Sequence, residues 1–178
     1  MPRWVLLLRG VNVGGHGKLP MAALRDLLMQ NGASAVQTYI QSGNVVMDHP
    51  EPDAAALCNN IAGQIEAQFG FRPAVLALSL PDLSNIVAEA PFVEQADPKN
   101  LWWFHIFAEA PADDTLARLT PYCTSDEVLA LKGRCLIVHA PKGIGKSKLP
   151  ARIERAAGSV CTACNLNSLR AVLALAHS

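Results

Sequence analysis

Twice along this chain the spacing of apolar residues passes from strand to helix to two strands, then through a second helix to a last strand. That order admits few folds. Arg3–Leu8 is an almost continuous apolar run ending at Arg9. Gly14-Gly15 and Gly17 follow as a turn, since glycine takes positive φ without penalty. Pro20 suits the first helical position, and Met21, Leu24, Leu27 and Leu28 form one helical stripe that stops at Asn31-Gly32. Val36, Thr38 and Ile40 alternate with Gln37, Tyr39 and Gln41, the period of a strand, and Ser42-Gly43-Asn44 turns the chain back into Val45–Met47. The stretch HPEPD opens a second helix with the stripe Leu57, Ile61, Ile65 and Phe69, closed by Gly70. Ala74–Leu80 is strand-like, which completes βαββαβ over residues 1–80, the ferredoxin-like plait.

Pro81-Asp82, a short helix over Leu83–Glu89 and a proline- and charge-bearing loop to Asn100 make residues 81–100 a linker. Leu101–Phe107 is the next strand, and PADDT starts a helix with Asp113 and Asp114 near its positive end, a structural use. Val128–Leu131 and Cys135–Val138 form a hairpin around Lys132-Gly133. Gly143–Lys148 is a second glycine-lysine turn, followed by a helix over Ala151–Ala157, a short strand near Cys161–Ala163 and a final helix carrying Leu166, Leu169 and Leu173. Residues 101–178 thus repeat βαββαβ with a terminal helix added. The expected class is α+β, two ferredoxin-like halves packed together plus that C-terminal helix.

Several strands are apolar on consecutive residues, among them Val5–Leu8, Val75–Leu78 and Leu136–Val138. A plait standing alone leaves one sheet face wet and should alternate, so both faces are expected to be covered, by the other sheet or by another subunit. A homo-oligomer is compatible with this. A covered sheet is a poor RNA platform, and no RNP-type aromatic motif is present.

With 51% hydrophobic and 17% charged residues, the chain of 178 residues calls for a filled interior. Lys plus Arg equals Asp plus Glu at 15 each, which removes any global pull toward nucleic acid or acidic membranes and makes any basic site a local one. Runs such as Trp4–Leu8 are too short to span a bilayer, and MPRWVLLLRG lacks the longer apolar core and cleavage site of a secretory signal. A cytoplasmic location without a membrane partner is expected. Five cysteines, Cys58, Cys123, Cys135, Cys161 and Cys164, show no disulfide framework. Cys161 and Cys164 form a lone C-x-x-C that admits half a zinc site or a redox pair, but reads first as small core residues, with no metal and no cofactor expected.

Three stretches, RGVNVGG at Arg9–Gly15, TYIQSGNVV at Thr38–Val46 and KGIGKSKL at Lys142–Leu149, resemble a bacterial family known as domain-of-unknown-function family 1697. The resemblance covers nearly the whole chain and is most specific in the first fifty residues. It implies a pair of ferredoxin-like subdomains and no established activity, so it assigns no catalytic residue. Members usually show T-x-R-N-W-N-T before the last helix. Here Thr162-Ala163-Cys164-Asn165-Leu166-Asn167-Ser168 keeps both asparagines but lacks the Arg and Trp.

Two segments echo each other, Gly15-His16-Gly17-Lys18-Leu19-Pro20 and Gly143-Ile144-Gly145-Lys146-Ser147-Lys148-Leu149-Pro150, each between a strand and a helix. The plainer reading is an ordinary tight connection with solvated lysines. The functional reading is an anion cradle, because helix N-termini expose unpaired N–H groups and partial positive charge. Leu19 has no side chain able to cap the first helix, whereas Ser147 is placed to cap the second. The run Ala140–Ser147 fits a loose phosphate-loop pattern, but an antiparallel topology and the lack of a following strand ending in Asp argue against nucleotide hydrolysis. Asn12, Ser42 and Asn44 sit where side chains commonly fix turns, and Arg9 leaves the first strand at the end that carries the glycine turn. Asn165 is the simplest N-cap for the last helix. No hydrolase elbow or zinc-protease motif is present, and His16 and His105 stand without a visible carboxylate partner.

The expected function is binding of a small phosphate- or carboxylate-bearing ligand at the two Gly-Lys turns. Lys18 and Lys146 would supply charge, the turn amides would supply donors, and Arg9 a fork. Asn12, Gly14, Gly15, His16, Ser42, Asn44 and Ser147 complete the candidate set. A nucleic-acid-binding protein using the same basic loops, or an enzyme with an unrecognised site, are the alternatives.

Overall fold

The computed structural model describes residues 1–88 and 101–178, so the end of the helix expected over Leu83–Glu89 and the loop running to Asn100 lie outside the described residues. The elements are β1 (Arg3–Arg9), α1 (Met21–Gln30), β2 (Ser34–Tyr39), β3 (Asn44–Asp48), α2 (Ala54–Phe69), β4 (Ala74–Ser79), α3 (Leu80–Ala88), β5 (Trp102–Phe107), α4 (Thr115–Leu119), β6 (Val128–Lys132), β7 (Cys135–His139), α5 (Pro150–Ala157), β8 (Cys161–Asn165) and α6 (Leu166–His177). Two four-stranded sheets form, in the orders β2-β3-β1-β4 and β6-β7-β5-β8, with antiparallel pairing throughout. Each order is that of the ferredoxin-like plait, and the chain adopts the α+β class with two such halves and a C-terminal helix. Two compact units result, Met1–Ser84 with Ala171–Ser178, and Asn85–Arg170.

In the first unit the stripes of α1 and α2 bury Met21, Leu24, Leu27, Leu28, Leu57, Ile61 and Ile65 in a core shared with Leu6, Leu8, Val45 and Met47. Asp53 caps α2 by accepting from the Ala56 amide at 2.7 Å, and Gly70 ends it in the left-handed region at φ 78°. Arg3 clasps Asp48 through Nε and Nη2 at 2.9 and 3.2 Å and reaches the Ala176 carbonyl at 3.0 Å. In the second unit Phe107, Leu136, Val138, Leu149 and Ile153 form the corresponding core. Successive residues of a strand face opposite ways, yet Val5, Leu6 and Leu7 are all 0% exposed, and Leu136, Ile137 and Val138 are 0%, 1% and 0% exposed. Both faces of these strands are therefore closed to solvent, in line with their unbroken apolar runs. Among the described residues no helix is long and apolar enough to cross a membrane.

Several boundaries differ from expectation for physical reasons. Pro20 is the cap residue of α1, at φ −59° and ψ 133°, one place before the first helical position. The strand expected to run through Gln41 ends at Tyr39, because Ile40 takes φ 51° in the turn. Leu80 begins α3 directly, with Pro81 in its first turn, where a missing N–H costs nothing. The helix after PADDT has five residues and is continued by a 3-10 turn over Thr120–Tyr122. Asp114 does not cap it but pairs with Arg118 at 2.7 Å, a structural use of another kind than the one expected. Asn165 caps α6 as expected, accepting from the Ser168 amide at 2.9 Å.

Candidate functional site

The glycine turn of the first half is a miniature hairpin. Val11 and Leu19, 2% and 0% exposed, anchor its two ends in the core. Between them Val13 pairs with His16, whose amide donates to the Val13 carbonyl at 3.0 Å across Gly14-Gly15. Those glycines have φ 58° and 79°, the two positive values of a tight primed turn, which side-chain-bearing residues adopt only with strain. Gly17 faces a different demand. A Cβ there would sit on the Gly10 carbonyl oxygen and 3.3 Å from the Phe71 ring.

Asn12 fastens this hairpin to its neighbours. Its amide side chain donates at 2.9 Å to the Leu19 carbonyl and at 2.9 Å to the Gln41 carbonyl, while its Oδ1 accepts from the Leu19 amide at 2.9 Å. Its own amide donates to the Gly17 carbonyl at 2.9 Å. The Leu8 amide donates to the Gly43 carbonyl at 3.1 Å, holding the β2–β3 turn to the end of β1. The two leading sequence motifs thus meet at one corner. The residues left exposed there include Arg9, Gly10, Asn12, Val13, Gly14, Gly15, His16, Lys18, Ile40, Gln41 and Ser42. Replacing Asn12 by Ala removes three side-chain hydrogen bonds at about 1 kcal/mol or less each in this exposed setting. It also leaves a residue at φ 54°. A loss of about 2 kcal/mol in denaturant unfolding is expected, and a loss under about 0.5 kcal/mol would show that the pin is ornamental.

The candidate residues divide accordingly. Asn44 is 4% exposed and donates to the Ser42 hydroxyl at 3.1 Å, so it belongs to the turn and not to a ligand surface. The cradle expected from turn amides is closed in part by the protein's own oxygens. The amides of Asn12, His16 and Leu19 in the first half are occupied, and so are those of Gly143, Lys146 and Ser147 in the second. Tight turns satisfy their own donors first, which the sequence pattern does not reveal. In the first turn the amides of Gly14, Gly15, Gly17 and Lys18 donate to no protein oxygen among the described residues, and Gly14, Gly15 and Lys18 are exposed. In the second half Ile144–Lys146 is a 3-10 turn, Lys146 is exposed, and Ser147 accepts from the Leu149 amide at 3.2 Å, spending its hydroxyl just ahead of α5. These two residues lie in the second compact unit and the others in the first.

The thiols carry no visible chemistry. No disulfide joins any of the five cysteines. Cys161 and Cys164 are three apart on β8, which sends their side chains to opposite faces of the sheet and rules out a vicinal redox pair. Burial pushes the Cys135 thiol up to about 12, with the neighbouring Cys164 and Cys161 adding to it, and burial pushes Cys164 up to about 11, so both stay protonated and unreactive. Among the described residues no group of three or more His, Cys, Asp or Glu is placed to hold a metal ion.

Comparison with solved structures finds a conserved bacterial protein, SP0830, from Streptococcus pneumoniae, at a TM-score of 0.75 and 24% identity over 98% of each chain. At that identity the likeness establishes the fold. No curated protein matches the chain. A family model described as a protein of unknown function, DUF1697, matches residues 1–136, which takes in the two motifs of the pinned corner but not the later Lys142–Leu149 stretch. With three quarters of its length matched, from the first strand through the start of β7, the chain belongs to the DUF1697 family.

Proposed function

We propose that this protein binds a small anionic ligand, a carrier of phosphate or carboxylate, at the pinned corner of its first half. The observation that carries the reading is the exposed Gly14-Gly15 tip, whose amides donate to no protein oxygen among the described residues and stand in sequence between Arg9 and the pair His16 and Lys18. Successive amides in positive-φ turns form concavities that accept anions, and nearby cations deepen them. From Arg9 to Val46 the only carboxylate is Asp26, against Arg9, Lys18 and Arg25. Lys146 and Ser147 are not needed for this contact. A reducing compartment, the cytoplasm, is the location we propose with it, supported by five cysteines that form no disulfide.

Thermal shift against inorganic phosphate, pyrophosphate and simple carboxylates tests the reading. An anion at about 100 times its dissociation constant should stabilise the fold by roughly 2.7 kcal/mol. Lys18→Ala and His16→Ala, both exposed substitutions, should each reduce that response. A melt that no anion moves, or variants that respond like the parent, would end the proposal. Binding of an oligonucleotide with a steep salt dependence would instead mark the corner as a nucleic-acid contact.

A further inference from the structure

The second half contains a hollow of about 540 Å³ lined by Arg118, Tyr122, Ala151, Arg152, Arg155 and Ala156. One wall is α4 with the 3-10 turn that follows it, and the other is α5. On α5, Arg152 and Arg155 are three residues apart and share a face, while Ile153 and Ala157 are buried in the core. Two of the three lining arginines have side-chain partners. The Arg152 guanidinium carbon lies 4.0 Å from the centre of the Tyr122 ring, and no hydrogen bond among the described residues uses the guanidinium nitrogens. Asp114 holds Arg118 through Nε at 2.7 Å, and no hydrogen bond among the described residues uses the Nη atoms of Arg118. Arg155 is exposed and makes no hydrogen bond or ion pair among the described residues.

Three guanidinium groups therefore line one concavity whose lining among the described residues holds no carboxylate, and Arg118 pairs with Asp114 beside it. Gathering like charges is unfavourable unless an anion lies among them. The volume falls in the range of small-molecule sites, roughly 300–1,000 Å³. Arginine forks match the paired oxygens of phosphate, and a tetrahedral phosphate offers enough oxygens for more than one fork, where a carboxylate offers two. We infer that the hollow between α4 and α5 is a binding site for the phosphate group of a small ligand, with Arg155 and Arg152 as the principal donors and Arg118 as a third.

This site is independent of the corner in the first half, and calorimetric titration of the whole chain with inorganic pyrophosphate at low salt separates the two. Arg155→Ala should weaken the hollow's binding by about tenfold or more. Arg155→Lys should recover little of that loss, because an ammonium lacks the fork. Lys18→Ala should leave this binding event intact, whatever becomes of the corner. The anion-free melts of both Arg155 variants should match the parent, since the side chain is exposed. Should Arg155→Ala melt lower, Arg155→Gln carries the same comparison. Absence of any pyrophosphate binding at millimolar concentration, or equal binding by Arg155→Ala and the parent, overturns the inference. So does an oligonucleotide that binds at Arg155 more tightly than pyrophosphate and with a steep salt dependence, which would make the hollow part of a nucleic-acid surface.

Discussion

Gly17→Ala should cost the first half about 4 kcal/mol, a large fraction of the roughly 5–15 kcal/mol of an ordinary domain. Two separate demands fall on this position. Its φ of 61° is one that alanine adopts only at a penalty of about 1 kcal/mol. The added methyl would also overlap the Gly10 carbonyl oxygen, which is main chain and has no rotamer by which to step aside. Moving Gly10 would disturb the end of β1, and moving Gly17 would break the 2.9 Å bond from the Asn12 amide. Gly15→Ala is the control, because Gly15 has φ 79° but open space around its missing side chain. It should lose only the conformational part, about 1 kcal/mol. Urea midpoints of the two variants settle the matter: equal losses would mean that the close approach at Gly17 is not tight.

The second large effect is acid sensitivity centred on His105. This residue lies on β5 at 4% exposure, its Nε2 meets no hydrogen-bond partner among the described residues, and its Nδ1 lies 3.9 Å from the Cys161 sulfur. Burial pushes its pKa from 6.5 down to about 4, with the charge of Glu154 pulling weakly the other way. Above pH 6.5 the ring is neutral in both folded and unfolded chains, and the full stability is present. As pH falls from 6.5 toward 4 the unfolded chain takes up a proton that the folded chain refuses, so stability declines across that window. At 1.36 kcal/mol per unit the decline amounts to about 3 kcal/mol. The hydrogen bond from Arg3 holds the Asp48 carboxyl below its ordinary range, and that contribution is lost only at lower pH, as Asp48 protonates. The two windows are therefore separable. Unfolding free energies at pH 7, 5.5 and 4.5 should fall in order for the parent and lie nearly level for His105→Leu. A parent with no slope, or a variant with the same slope, would remove His105 as the source.

The alternation of periods was enough to read both plaits, since strand and helix patterns are set by burial along the chain. The apolar runs of β1 and β7 also told correctly that both faces of these strands are closed. What escaped was decided by partners distant in sequence. Ile40 continues a perfect strand alternation, yet it takes a left-handed turn, because the corner that Asn12 builds on the Gln41 carbonyl sets the geometry there. Asn12 was legible as a turn-fixing residue but its acceptors were not. Closure of the turn amides was hidden for the same reason. The arginine hollow left only a faint trace, the spacing of Arg152 and Arg155 on one short helix. Arg118 and Tyr122 come from the other side of a hairpin, and folding alone brings them there.

Residues Ala171–Ser178 belong to the first compact unit, and Arg3 reaches the Ala176 carbonyl across 173 positions of sequence. A chain that emerges from the ribosome in order must therefore finish making its later half before its earlier half is whole. Until then the first sheet waits as an incomplete body, open to capture by chaperones and proteases. The later half carries no such delay. Its residues up to Arg170 are all made before the segment that completes its neighbour.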